Sequence, residues 1–184
     1  MNAYILAGGK SSRMGEDKGL VLFHNKPMIS YVIEVVTTIT PNIFIVSSNE
    51  DYEVFSYPLI ADNTANLGPA GAIDTLLHHS HEQYNIVLPC DMPFIDIASV
   101  QYLIDNIGSN EICVPKFQHH VEALIGIYQK KCEKKWHELV TQGILKLSDL
   151  LSHFTTTFVD GDGMAEKNER LFVNVNSKET LLKY

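Results

Sequence analysis

The chain has 184 residues, 45% of them hydrophobic, which is enough apolar material for one well-cored domain and too little for two. A formal net charge of -8, from 14 Lys+Arg against 22 Asp+Glu, argues against nucleic acid or an anionic membrane as a partner. The sequence has no run near the roughly 20 apolar residues that cross a bilayer and no export signal, and its three cysteines lack C-x-x-C spacing, so we expect a cytoplasmic protein.

The first half of the chain alternates short apolar runs with amphipathic stretches. Residues 3–6 predict a buried strand that ends at glycines, and Pro27 is expected at the first position of a helix that ends before Pro41. Further apolar runs predict strands at 43–46, 57–61 and 86–88, and helices are expected after Pro69 and around 97–107. This alternation is typical of βαβ units, in which ligands bind at the carboxyl ends of the strands.

The second half has a more mixed pattern. Strands are predicted at 112–114, 123–128, 154–159 and 172–175, and helices at 130–140 and near Leu147. The stretch Asp160-Gly161-Asp162-Gly163 indicates an exposed polar loop, which we expect to be mobile. No repeat or linker interrupts the chain, so we expect a single domain over 1–184.

A loop rich in glycine and cations follows the first strand. Lys10, Arg13 and Lys18 can neutralise several phosphate charges, and Gly8 and Gly9 let backbone N–H groups approach an anion. Gly-Lys-Ser at 9–11 resembles the end of a P-loop, but the glycine needed five residues earlier is replaced by a tyrosine. The dinucleotide-binding spacing G-x-G-x-x-G is also absent. The loop therefore predicts a phosphate site of another kind.

Several motifs in a fixed order then carry a resemblance to a family. They are L-A-G-G-x-x-x-R-M-G-x-D-K after the first strand, Lys26-Pro27, Gly68-Pro69-Ala70-Gly71-Ala72-Ile73, Pro89-Cys90-Asp91-Met92-Pro93 and Phe172-Val173-Asn174-Val175-Asn176. The set resembles the nucleotidyltransferases with a glycosyltransferase-A-like fold, and within them the molybdenum cofactor guanylyltransferases. It spans essentially the whole chain. The resemblance implies a three-layer, Rossmann-like α/β fold with a mostly parallel central sheet.

The resemblance also implies a reaction. GMP would pass from GTP to the terminal phosphate of molybdopterin bearing molybdenum, with Mg²⁺ as cofactor and pyrophosphate as leaving group. Transient contact with molybdenum cofactor insertion and acceptor proteins is implied as well. Two alternatives stay open at this point: a cytidylyl- or sugar-phosphate nucleotidyltransferase, and a nucleotide-binding homologue without catalysis.

Roles for individual residues follow from the same resemblance. The catalytic residues would be Arg13, Lys18 and Asp91, with Asp91 as the metal ligand. The nucleotide would contact Leu6, Ala7, Gly8, Lys18, Asp62 and Asp91. The acceptor would contact Arg13, Gly71, Lys146, Asn174 and Asn176, the two asparagines projecting from one face of a strand. An aspartate like Asp91 more commonly caps a helix or forms an Asx turn, and the surrounding motifs favour the metal role.

Four positions depart from the pattern of the family, two of them adjacent. Glu122-Ala123 stands where the family often has Gln-Pro or His-Pro, which adds a negative charge near an anionic acceptor. Lys146 replaces an arginine and loses its bidentate fork. Ser47 stands where some relatives have an asparagine near the base. We interpret His78, His79, His81 and Cys90 as structural residues.

Overall fold

The computed structural model describes residues 1–8, 17–61, 67–175 and 178–184 of the chain. Within these ranges the strands are β1 (Asn2–Leu6), β2 (Leu22–Phe23), β3 (Lys26–Pro27), β4 (Ile43–Val46), β5 (Leu59–Ile60), β6 (Tyr84–Pro89), β7 (Ile112–Phe117), β8 (His120–Val121), β9 (Gly126–Gln129) and β10 (Thr156–Asp160). The α-helices there are α1 (Met28–Thr37), α2 (Gly68–His79), α3 (Ile97–Asn106), α4 (Glu133–Thr141), α5 (Leu147–Leu151), α6 (Gly161–Lys167) and α7 (Lys178–Lys183). Short 3₁₀ helices cover Glu50–Phe55 and Lys130–Cys132.

A mostly parallel sheet forms the centre of the fold. Its strand order is β10-β7-β9-β6-β1-β4-β5, and β8 pairs with the other end of β7. Strand β9 runs antiparallel to both of its neighbours, β6 and β7, while the other strands of that path share one direction. Strands β2 and β3 form a separate two-stranded ribbon. The predicted mixed α/β fold with a mostly parallel sheet is confirmed.

The side chains of β1 show how the three layers arise. Successive residues of a strand point to opposite faces, so Ala3 and Ile5 pack in one hydrophobic cluster and Tyr4 and Leu6 in another. The first cluster contains most of the buried apolar residues of α1 and those of α3, and the second contains those of α2 and α4. All five residues of β1 are buried. A strand covered by helices on both faces is mostly apolar, and in β1 the run from Ala3 to Leu6 is the one that the sequence indicated.

Two predicted segments have a different structure from the one expected. Residues 172–175 form no strand: the Val175 N–H donates to the Asp91 carbonyl at 3.0 Å, and the Val175 side chain is fully buried against Val21 and Met28. The supposed loop at 160–163 begins helix α6, because the Asp160 carboxylate caps the Gly163 N–H at 3.0 Å. Burial, rather than strand pairing, accounts for the alternating apolar pattern near the end of the chain.

Some boundaries also differ. Pro27 lies in β3 and directly precedes α1, so it is the N-cap rather than the first helical residue. The strand expected from residue 123 starts at Gly126, because residues 122–125 form a turn closed by the Ile125 N–H and the Glu122 carbonyl at 3.0 Å. None of the described helices has both the length and the apolar character needed to span a membrane.

Candidate active site

The candidate site lies where β1 and β6 end side by side at the carboxyl edge of the sheet. Leu6 is in register with Pro89, and the pairing continues beyond the strands because the Cys90 N–H donates to the Leu6 carbonyl at 3.1 Å. On the other side, the Ala7 N–H donates to the Val46 carbonyl at 3.0 Å. These bonds fix the backbone on which Gly8 and Asp91 are held. Leu6 and Ala7 are buried, whereas Gly8 is exposed.

Lys18 and Asp91 meet at this edge. The Lys18 Nζ lies 3.3 Å from Asp91 Oδ2, although the two residues are 73 positions apart in the chain. The Asp91 side chain is only 14% exposed and that of Lys18 is 35% exposed. A partly buried carboxylate beside an ammonium is an arrangement that can hold a cation and a phosphate at one place. The sequence predicted both residues, and the structure brings them together.

The end of the glycine-rich loop is anchored by Asp17, a feature that the sequence did not reveal. The Tyr52 hydroxyl donates a short hydrogen bond to Asp17 Oδ1, and Asn49 Nδ2 donates to Asp17 Oδ2 at 3.2 Å. Burial, followed by the nearby Cys90 and Asp17, raises the pKa of Tyr52 above its usual value, so the hydroxyl remains a donor. Lys18 therefore follows a residue held firmly by the 3₁₀ helix at Glu50–Phe55.

A cavity of about 350 Å³ opens beside Asp91, on the side of β9. Its described polar lining consists of Asp91, Glu122, Ser148 and Asn174, and apolar residues including Val121 and Leu147 complete its walls. Asn174 is brought to Asp91 by the backbone bond of the next residue, Val175. Burial raises the pKa of Glu122 above its ordinary value, while His120 acts in the opposite direction. The volume is suited to a small organic ligand.

Other predicted site residues are not brought into this cavity. Gly71 is buried within α2, where its N–H donates to the Leu67 carbonyl at 3.4 Å. Lys146 directly precedes α5, and its exposed ammonium lies 3.3 Å from Asp149 Oδ1. Ser47 is buried and its hydroxyl accepts from the Asn49 N–H at 3.1 Å. The remaining predicted residues lie outside the described ranges: Lys10, Arg13, Asp62 and Asn176.

Comparison with known proteins gives a consistent family. Residues 3–156 match the family described as MobA-like NTP transferase domain. A protein of Flavobacterium johnsoniae named "Probable molybdenum cofactor guanylyltransferase" is 34% identical over 98% of this chain and 94% of its own length. A "Molybdenum cofactor guanylyltransferase" of Vibrio vulnificus is 32% identical over 98% of this chain and 92% of its own.

Solved structures have the same fold. A protein of Aquifex aeolicus superposes with a TM-score of 0.82 at 28% identity, covering 96% of this chain and 94% of its own. The "Molybdopterin-guanine dinucleotide biosynthesis protein A" of Archaeoglobus fulgidus superposes with a TM-score of 0.83 at 22% identity, covering 100% and 96%. The sheet is therefore the glycosyltransferase-A-like sheet of nucleotidyltransferases. With most of its length matched by the family, this chain belongs to the MobA-like NTP transferases, a family of nucleotidyltransferases.

Proposed function

We propose that the protein transfers GMP from GTP to the terminal phosphate of molybdopterin bearing molybdenum, forming the guanine dinucleotide cofactor and pyrophosphate. The observation that carries this proposal is the meeting of Lys18 and Asp91 at the carboxyl edge of the sheet, next to a cavity of ligand size. The names of the relatives support GTP and molybdopterin as the two substrates.

The nucleotide is assigned to the β1–β4–β5 side of Asp91. Gly8 is exposed just after β1, and among the described residues the nearest atom to a Cβ added there would be the Val46 carbonyl oxygen at 4.0 Å. We assign base and ribose to the backbone of residues 6–8, and the triphosphate to the side of Asp91 where the Lys18 ammonium lies. Arg13 and Asp62 keep their assigned roles on the phosphates and the guanine as part of the proposal.

Asp91 fits a Mg²⁺ ligand. Magnesium is commonly held by one or two carboxylates, with water and substrate phosphate oxygens completing its octahedral shell. The described residues contain no cluster of three or more His, Cys, Asp or Glu that would form an all-protein cage, and Asp91 offers a partly buried carboxylate. Bound Mg²⁺ would supply positive charge to the α-phosphate oxygens and the leaving pyrophosphate. The Asp91 carboxylate would hold the Mg²⁺ ion in place, and the Lys18 ammonium would add a second positive charge beside it.

The acceptor is assigned to the cavity on the β9 side of Asp91. Asn174 lines this cavity and supplies an amide that can donate to a phosphate and accept from an N–H group. Gly71 and Lys146 are absent from its described lining, so their assignment rests on the resemblance alone, as does that of Asn176. With the two substrates on opposite sides of Asp91, their reacting phosphates would meet at the carboxylate.

The test is to incubate the protein with Mg²⁺, molybdate-loaded molybdopterin and each nucleoside triphosphate, and to measure pyrophosphate and dinucleotide product. We expect GTP to be the preferred donor. Asp91→Asn, which keeps the shape of the side chain, should lower kcat by about 10²-fold or more because the cation loses its charged ligand.

The matched control is Asp105→Asn, which removes a carboxylate from the exposed surface of α3 and should leave turnover unchanged. A preference for CTP would overturn the assignment of the donor. Binding of GTP and molybdopterin without pyrophosphate release would show a binding protein instead of an enzyme. Full turnover by Asp91→Asn would remove Asp91 from the metal site.

A further inference from the structure

Glu122 is held rigidly at the wall of the cavity. Its N–H donates to the Pro115 carbonyl at 3.0 Å, and its carbonyl accepts from the Ile125 N–H at 3.0 Å. The first bond ties the turn between β8 and β9 to β7, and the second closes the turn. Because the backbone is fixed on both sides of the residue, the carboxyl group lines the cavity from a defined position.

The carboxyl group of Glu122 is half-buried and lacks a hydrogen-bond or salt-bridge partner among the described residues. Among the described residues, the charge that influences the Glu122 carboxyl group is that of His120, two positions earlier in β8. A desolvated carboxylate without donors is unfavourable for the folded state, and a ligand that brings two N–H donors would satisfy it. The two carboxylate oxygens of Glu122 therefore favour a ligand that carries two adjacent N–H donors.

The walls near Glu122 carry apolar side chains. Val121 precedes it, Leu124 follows two positions later, and Leu147 lies at the start of α5; all three line the cavity. Seven of the eleven described lining residues are apolar, so a ligand with apolar faces is buried there more favourably than a sugar, most of whose hydroxyls would lose water without finding partners. A heteroaromatic ring with a donor edge buries its faces against the walls and presents its N–H groups to the acid.

We propose that Glu122 selects the heterocycle of the acceptor, by accepting two hydrogen bonds from the ring N–H and the exocyclic amino group of the pterin. The two oxygens of a carboxylate match the two parallel donors of an aminopyrimidinone edge. This inference rests on the proposed function, and it gives the residue that departs from the family pattern a positive role. The added negative charge faces the ring of the acceptor, away from its phosphate.

Guanine carries the same donor edge as a pterin, so the two rings must be distinguished by position. Strand order separates the two sides of the site: β1, β4 and β5 lie on one side of β6, and β9 and β7 on the other. Glu122 belongs to the second side, whereas the exposed Gly8 backbone belongs to the first. With the phosphates held at Asp91 between them, the cavity takes the ring of the acceptor.

Binding of two fluorescent probes tests the assignment without any turnover. Pterin carries the amino group, and lumazine replaces it with a carbonyl oxygen that would face the carboxylate and repel it. We expect the wild-type protein to bind pterin roughly tenfold or more tightly than lumazine. Glu122→Gln should weaken pterin binding about tenfold and bring the ratio close to one. Glu138→Gln, an exposed change on α4, should leave the ratio unchanged.

Several results would overturn the inference: no measurable pterin binding by the wild-type protein, a pterin preference that survives Glu122→Gln, or a Glu122→Gln variant that loses affinity for GTP instead.

Thermal unfolding of each variant checks that the fold is retained, and Glu122→Asp, which keeps the charge, should retain part of the preference. In the complete reaction, Glu122→Gln should raise KM for molybdopterin and leave KM for GTP unchanged. A wild-type protein that prefers pterin but forms no dinucleotide would refute the proposed reaction and leave the pterin site standing.

Discussion

At the residue scale, the Lys18 ammonium can interact with two anions, the Asp91 carboxylate and the triphosphate of the nucleotide. Its ammonium pairs with Asp91 at 3.3 Å, and in the proposed reaction a triphosphate would compete for it. We expect Lys18→Gln to lower kcat/KM for GTP by about 10²-fold, because a neutral amide cannot balance the charge that develops on the phosphates. Lys18→Arg should retain part of the activity, since it keeps the charge but changes the geometry.

The measurement is the initial rate of pyrophosphate release over a range of GTP concentrations. Lys134→Gln removes a lysine from the exposed surface of α4 and is the control for the loss of one positive charge from the whole protein. Equal rates for Lys18→Gln and Lys134→Gln would contradict the phosphate role of Lys18.

The sequence was sufficient to find Lys18 and Asp91 but not Tyr52 or Ser148. Lys18 and Asp91 belong to motifs whose spacing is distinctive. Tyr52 touches Asp17 across 35 positions of the chain, and no local pattern announces such a contact. The acceptor role of Lys146 stays a prediction: its ammonium pairs with Asp149 three positions on, a local contact that a family motif does not reveal.

At the element scale, the 3₁₀ helix at Glu50–Phe55 holds the end of the glycine-rich loop. Tyr52→Phe removes the buried hydroxyl that donates to Asp17 and leaves the ring in place. We expect a loss of about 1–2 kcal/mol in the free energy of unfolding and a severalfold rise in KM for GTP, because Lys18 follows the released residue. Urea denaturation and steady-state kinetics measure the two effects.

Tyr31→Phe is the matched control for this change. It removes a hydroxyl that donates to the Phe23 carbonyl at 2.8 Å instead of to Asp17. We expect Tyr31→Phe to destabilise the protein by a similar amount and to leave KM for GTP unchanged. If both variants change KM equally, the anchor has no specific link to the nucleotide.

Elements in the first half were predictable because each buried strand is a short apolar run bounded by glycine, proline or polar residues, as for β1 and β4. Hydrophobic periodicity gave the wrong prediction where a residue is buried by tertiary packing rather than by its place in a strand. Val175 is buried by packing on Met28, and Met164 is buried on the inner side of α6, after an Asp-Gly pattern that is typical of turns. Such contacts depend on the assembled fold, so a window of sequence cannot show them.

At the scale of the whole molecule, the antiparallel strand β9 determines where the cavity forms. It inserts between β6 and β7, so the turn that carries Glu122 is brought beside Asp91. Strands from both halves of the sequence pair in one sheet, and the single domain over 1–184 stays a prediction. We expect one cooperative unfolding transition by calorimetry, and two separable transitions would contradict it.

Two histidines contribute in opposite directions to the pH dependence of the stability of the molecule. Hydrogen bonding and charge attraction from Asp74 raise the pKa of His137, whose Nδ1 lies 2.9 Å from Asp74 Oδ2 between α2 and α4. Its contribution to stability is therefore complete below the ordinary histidine value of about 6.5 and is lost as the pH rises through the raised value. Burial lowers the pKa of His79, so protonation of this residue destabilises the fold as the pH falls.

We therefore expect His137→Asn to lower the urea midpoint at about pH 5.5 and to have much less effect at about pH 8.5. Asparagine keeps a hydrogen-bond donor near Asp74 and removes the charge, so the difference between the two pH values isolates the ionic part. In the variant the effect of His79 is unopposed, and stability should rise more steeply between these pH values than in the wild-type protein. His153→Asn, an exposed change, should leave the pH profile unaltered. An equal loss at both pH values would show that His137 stabilises the fold by packing and neutral hydrogen bonding alone.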